Sequence, residues 1–184
     1  MLSLYLSLVE TDNDKEKIVY LFENYYSFMC HCVRQVIGNN EYDVEDIVMS
    51  SFIKLIDYLY KIDFSDDARV KSLCGIVAKN KAIDHCKLKG NQNVSVEDSF
   101  VEPRDEETDP AELFLRHDIY DCIVSAIGSL DEKYRDICQL KYINGLKEHE
   151  IADVLNLNAK TVNTRINRGR KILREMLRKE NIHE

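Results

Sequence analysis

The sequence predicts an all-α protein: two small helical domains joined by a flexible acidic linker, the C-terminal one containing a helix-turn-helix. Three observations carry this. Only six glycines and two prolines occur in 184 residues, too few for a sheet with tight turns. Apolar residues recur at three-and-four spacing along most of the chain. One polar, acidic stretch interrupts that pattern. The expected division is 1–90 for the first domain, 91–110 for the linker and 111–184 for the second domain.

The opening segment, MLSLYLSLVETDND, has a short apolar run with no basic residue before it and acids after it. It reads as neither a signal peptide nor a membrane span. From Glu16 to Val36, Ile18, Leu21, Phe22, Tyr25, Phe28, Met29, Cys32, Val33 and Val36 keep helical spacing, and Gly38-Asn39-Asn40 ends the helix. Asp43 is the expected cap of the next helix, whose apolar face is Val44, Ile47, Val48, Phe52, Leu55, Ile56 and Leu59. A loop from Tyr60 to Asp67 carries Phe64. A third helix from about Ala68 to Lys89 places Val70, Leu73, Val77 and Ile83 inside and most of its lysines outside. Beyond the linker, Leu113–Ile127 and Asp131–Tyr142 read as two helices separated by Gly128-Ser129.

The segment Lys147 to Leu173 reads as two short helices with a tight turn. Ile151, Val154 and Leu155 line the first, and Asn156 and Asn158 bracket the turn. Asn tolerates the left-handed conformation that ends a helix, and Asn158 suits the N-cap of the next one. From Lys160 the chain divides by face. Val162, Ile166, Gly169 and Leu173 form the inward stripe, while Lys160, Asn163, Thr164, Asn167, Arg168 and Lys171 point outward. That face suits a DNA major groove, where Arg reads guanine, Asn reads adenine, and Lys and Thr bind phosphate. Between Lys160 and Lys179, eight basic residues stand against the single acid Glu175; a merely solvated face normally mixes signs.

The net charge of −8 is compatible with that surface because charge is segregated. Between Asn91 and Asp121, ten acids face only Arg104 and Arg116, so this stretch alone accounts for the whole excess. The six cysteines, at 30, 32, 74, 86, 122 and 138, contain no paired C-x-x-C. They read as free, buried thiols of a reducing cytoplasm rather than metal ligands. No glycine-rich phosphate loop, nucleophile elbow or zinc-protease motif is present, so neither a catalytic residue nor a cofactor is expected.

Two blocks of sequence resemble a known family. Residues 129–177, SLDEKYRDICQLKYINGLKEHEIADVLNLNAKTVNTRINRGRKILREML, resemble region 4 of a bacterial RNA polymerase sigma factor. LFENYYSFMCHCVRQVIGNNEYDVEDIVMSSFIKLI and VKSLCGIVAKNKAIDHCK resemble region 2. Their order, with only a linker between them, is similar to the extracytoplasmic-function (ECF) group.

The resemblance implies a chain that performs no bond chemistry, directs core polymerase to promoters, and helps melt the start region. Asp43, Glu45, Asp46, Phe52, Lys54 and Leu55 would then bind polymerase. Phe64, Lys79, Asn80, Lys81 and Lys87 would meet the minus-ten element, with Phe64 and Asn80 lining a pocket for an extruded base. Lys160, Thr161, Asn163, Thr164, Arg165, Asn167, Arg168 and Lys171 would meet the minus-thirty-five element. An anti-sigma protein is a further partner known for many members of the group. The chain departs from the usual pattern at Met49 and Ser50, where a glutamine and an acid are common, and at Leu73, where tryptophan is frequent. Asn163 stands where Lys or Arg is frequent, which favours adenine at the base it would meet. Two other readings remain: a stand-alone helix-turn-helix regulator acting as a dimer on a palindrome, and an enzyme holding a metal on the acids around Glu106.

Overall fold

The computed structural model describes residues 2–89 and 114–179. The acidic stretch 91–110, with Glu106, lies outside the described residues. The described residues divide into two compact units, the first holding 2–89 and the second most of 114–179. Every regular element among the described residues is helical.

The first unit contains α1 (Leu2–Leu6), α2 (Asp12–Ile37), α3 (Glu41–Asp57) and α4 (Asp67–Leu88). α2 begins four residues before the periodicity does, because Thr11 caps it by accepting from the Asp14 backbone N–H at 3.1 Å. It ends at Gly38, whose φ of 80° is open to glycine and whose N–H satisfies the Arg34 carbonyl at 2.9 Å.

α3 corrects one expectation. Its N-cap is Asn40, with the Val44 N–H bonded to the Asn40 carbonyl, and Asp43 lies inside the first turn. The Asp43 carboxylate instead accepts from Asn40 Nδ2 at 2.8 Å and from Lys89 Nζ at 2.7 Å, tying the start of α3 to the end of α4. A 3₁₀ turn, Leu59–Lys61, leads into the loop before α4. Asp66 then caps α4 through the Arg69 N–H at 3.0 Å.

The core of this unit is where α4 packs against both α2 and α3. Burial on α4 therefore extends past a stripe to Val70, Leu73, Cys74, Gly75, Ile76, Val77, Ala78, Ala82 and Cys86. Ile83, expected inside, is only half-buried. The opening segment contributes as well: Tyr5 of α1 is fully buried and stacks on Phe52, ring centroids 5.1 Å apart, within a cluster that includes Phe22 and Tyr26. Burial pushes the Tyr5 hydroxyl up to about 12, and that oxygen is enclosed without a hydrogen-bond partner.

The second unit contains α5 (Phe114–Gly128), α6 (Glu132–Cys138), α7 (Glu148–Val154) and α8 (Ala159–Lys179). The helix expected over Asp131–Tyr142 is regular only to Cys138. It then widens into a π turn at Gln139–Ile143, closed by the Asn144 N–H to the Gln139 carbonyl at 3.0 Å. Ala126, Ile127, Leu130, Cys138, Ile143 and Leu173 form the core, with Tyr120, Ile123, Val124, Tyr134 and Ile172 against it.

Candidate nucleic-acid interface

The turn between α7 and α8 sets the direction of the basic helix. Asn156 ends α7 in the left-handed conformation, φ 49°. Asn158 starts α8, its Oδ1 accepting from the Thr161 N–H at 2.7 Å. The other end of α7 is fixed by Glu150, 4% exposed, whose carboxylate accepts from the Lys147 N–H at 2.6 Å. This is half of a capping box. Sequence reasoning missed it because no Ser or Thr stands at position 147 to flag the motif.

α8 is held down by its inward stripe: Val162, Ile166, Gly169 and Leu173 are all buried. Gly169 is the close-contact point, since a Cβ there would lie 2.5 Å from the Cys138 sulfur of α6. The opposite face is bare. Lys160, Asn163, Thr164, Asn167, Arg168 and Lys171 are all exposed, while Thr161 and Arg165 flank them half-buried. The Thr164 hydroxyl donates to the Lys160 carbonyl at 2.8 Å, and Asn167 Oδ1 accepts from Arg170 Nη2 at 3.0 Å. Such a surface offers guanidinium, amide and hydroxyl groups on one helix face, the combination that reads base edges in a major groove.

In the first unit, the residues expected to meet the minus-ten element occupy two places. Phe64 packs edge-on against Tyr20 of α2 at 5.8 Å, with Lys17 Nζ 5.8 Å from its ring centroid. Tyr20 in turn donates to Asp67 at 2.6 Å, in the first turn of α4. Asn80 donates its side-chain N–H to the Ile76 carbonyl and lies thirteen residues beyond Asp67, about 20 Å along the helix. Lys79 and Lys81 flank it, half-buried, and Lys87 is exposed and paired with Asp84 at 3.3 Å. Leu73 is 3% exposed and belongs to the core.

The residues expected to face polymerase also separate. Glu45 and Asp46 are exposed on α3. Phe52 and Leu55 are each 1% exposed. They are core residues, Phe52 lying under Tyr5, so they hold the helix in place without offering a contact surface. Lys54 is half-buried, its Nζ 5.9 Å from the Tyr58 ring centroid. The Asp43 carboxylate is held below the usual range by Lys89, with His85 Nε2 3.6 Å away.

Five of the six cysteines are buried. Burial pushes the Cys32 and Cys138 thiols up to about 11, and Cys74 higher still, which disfavours the thiolate needed for metal binding or nucleophilic chemistry. Among the described residues no helix is long and apolar enough to cross a membrane.

Residues 120–173, from the middle of α5 through most of α8, match the family model for Sigma-70, region 4. Similarity extends over most of the chain. The ECF RNA polymerase sigma factor SigW of Bacillus subtilis is 28% identical over 158 residues, covering 80% of this chain and 81% of its own. The chain is similar to sigma factors of the ECF group over most of its length. Among other relatives, RNA polymerase sigma factor SigZ of Bacillus subtilis is 26% identical over 140 residues, covering 76% of this chain and 75% of its own. The ECF sigma-E factor of Escherichia coli is 27% identical over 139 residues, covering 71% and 72%. A solved structure, that of CnrH in complex with the cytosolic domain of CnrY, is 22% identical and covers 96% of this chain and 94% of its own, with a TM-score of 0.38.

Proposed function

We propose that this chain is an ECF sigma factor that joins core RNA polymerase in the cytoplasm and directs it to promoters made of two unlike elements, performing no bond chemistry itself. The single observation that carries the reading is α8: a stripe of four buried residues on one side and six exposed polar or basic residues on the other, immediately after a capped helix-turn-helix turn. Asn163, Thr164, Asn167 and Arg168 would read the minus-thirty-five element, and Lys160, Thr161, Arg165 and Lys171 would hold phosphates.

In the first unit, Phe64 and the α4 residues Lys79, Asn80, Lys81 and Lys87 would engage the minus-ten element, and residues 1–90 and 111–184 would act as two modules. Two modest contacts on one tether select a correctly spaced promoter far better than either contact alone. A dimeric regulator of the helix-turn-helix class would need only α8 and would leave the region 2-like unit without a DNA role. An anti-sigma protein would act by covering one of these surfaces.

Glu45 and Asp46, exposed on α3, are the proposed polymerase contacts, with Phe52 and Leu55 supporting them from the core. Co-purification with core polymerase, followed by transcription from a random promoter library, tests the reading. Wild type should assemble and select two spaced elements. Asp46→Arg should weaken assembly while leaving the circular dichroism spectrum unchanged. Equal assembly of the two proteins would remove Asp46 from this role, and selection of a palindrome without polymerase would favour the dimeric regulator.

A further inference from the structure

α1 is held to the first unit mainly by one ring. Its five residues make little more than one turn, too few for a helix to persist unsupported. Tyr5 is the only one of them that is buried; Leu2 and Leu6 are half-buried. Leu4, and Leu8 just beyond the helix, are 48% and 49% exposed. The turn closes on itself, the Ser7 hydroxyl donating to the Leu4 carbonyl at 2.6 Å. What seats α1 is therefore the Tyr5 ring, stacked on Phe52 of α3 at 5.1 Å and tilted against Phe22 of α2 at 6.4 Å.

That anchor has a weak point. The Tyr5 hydroxyl is enclosed without a hydrogen-bond partner. An enclosed donor with no acceptor costs free energy that water returns once the segment lifts, so α1 opens more easily than the burial of its ring alone implies. The anchor also stands at a junction between helices. Phe22, Tyr26 and Phe52 pack on one another beneath it, with Phe22 4.9 Å from Tyr26 and 5.8 Å from Phe52. Burial raises the Tyr26 hydroxyl to about 12, with a smaller contribution from the Glu45 carboxylate of α3. Tyr5 thus reaches, through Phe52 and Tyr26, the part of α3 that presents Glu45 and Asp46 to solvent.

We infer that α1 is a latch on α3, anchored by Tyr5: closed, it seats the helix that carries Glu45 and Asp46, and open, it uncovers Phe52 and lets that helix shift. A local opening of this kind needs no unfolding of the unit, because α4 packs against α2 and α3 independently of α1. Linkage then makes the latch a control element. A partner that binds only the seated form of α3 pulls the latch shut, and anything that holds the latch open lowers the partner's affinity by the fraction of closed form lost. The inference rests on the proposed role of α3 in polymerase binding, and it adds the element that controls that surface without touching the partner.

The test combines hydrogen exchange in the free full-length protein with its affinity for core polymerase. The amides of α1 should exchange faster than those of α2 and α4. Tyr5→Phe, which keeps the ring and removes the enclosed hydroxyl, should slow them about tenfold and retain wild-type polymerase affinity. Tyr5→Ala should speed exchange in α1 and α3 while α4 stays protected, and should weaken polymerase binding about tenfold. Three results would overturn the inference. Unchanged α1 exchange in Tyr5→Phe would show that the hydroxyl is no weak point. Faster exchange in α4 as well, after Tyr5→Ala, would make Tyr5 an ordinary core residue. Wild-type polymerase affinity in Tyr5→Ala with α1 open would uncouple the latch from α3. Failure of wild type itself to bind polymerase would sink the proposed role of α3 instead, a result distinct from these because exchange in the free protein does not depend on it.

Discussion

α4 and α8 carry most of the basic residues proposed to meet DNA, yet they are built in opposite ways. α8 rests on its unit by a narrow stripe, Val162, Ile166, Gly169 and Leu173, with Ile172 half-buried beside it, and leaves the face of Lys160, Asn163, Thr164, Asn167, Arg168 and Lys171 to solvent. α4 is packed against both α2 and α3, so nine of its residues are buried and its lysines emerge from a largely covered helix. The contrast follows from the tasks proposed for them. A helix that enters a groove needs one bare face, whereas one that holds an opened strand needs a rigid edge whose side chains cannot swing. Lysine stems lying along apolar surface with their ammonium groups outward supply that edge.

The largest expected effect concerns what lies beneath α3. Phe52→Ala should cost about 3–5 kcal/mol, the usual range for truncating a fully buried aromatic, because Phe52 sits within the Tyr5, Phe22 and Tyr26 cluster. Urea denaturation measures this. A variant of near-native stability that had merely lost polymerase affinity would return Phe52 to the contact surface.

The close approach of α8 to α6 gives the next effect. Gly169→Ala gains about 1 kcal/mol of helix propensity. It also drives a methyl group to 2.5 Å from the buried Cys138 sulfur, and overpacking of that kind costs about 1–3 kcal/mol. Net destabilisation of about 1 kcal/mol is expected, and Cys138→Ala introduced into the same chain should recover much of it. Additive behaviour of the two changes would mean that the contact does not limit packing.

Asn158→Ala removes the side-chain bond to the Thr161 N–H and should cost about 1 kcal/mol. It should also loosen the start of α8, so its effect on minus-thirty-five selectivity should exceed that of any single phosphate contact. Hydrogen exchange at Thr161 and Val162 measures the fraying. Unchanged protection there would show that the turn is held by other means.

How much of this was legible in the sequence differs between the two helices for a physical reason. The inward and outward residues of α8 could be assigned directly because a single-stripe helix maps periodicity onto burial without ambiguity. For α4 the same reasoning found Val70, Leu73 and Val77. It missed Gly75, Ile76, Ala78 and Ala82, since a helix covered on two sides has no single apolar face to find. Asp43 was a reasonable cap by residue type, but Gly38 turns the chain early enough for Asn40 to take that position. Phe52 and Leu55 were correctly placed on the apolar face of α3, yet only the structure shows Tyr5 closing over Phe52. That long-range ring contact leaves no trace in local spacing. The π turn after Cys138 likewise depends on packing of Leu140 and Ile143 that periodicity does not encode.

The central claim is that the two helices meet different forms of DNA, and one crossed measurement tests it most directly. Polymerase carrying wild type, Arg168→Ala or Lys79→Ala is titrated with two fragments, one duplex bearing only the upstream element and one unpaired across the minus-ten region bearing only the downstream element. The account expects Arg168→Ala to weaken the duplex fragment alone, by about 1–3 kcal/mol at its cognate base pair, and Lys79→Ala to weaken the unpaired fragment alone. If each variant weakened both fragments to the same extent, the basic residues would be acting only as general charge, and the division of labour between α4 and α8 would be wrong.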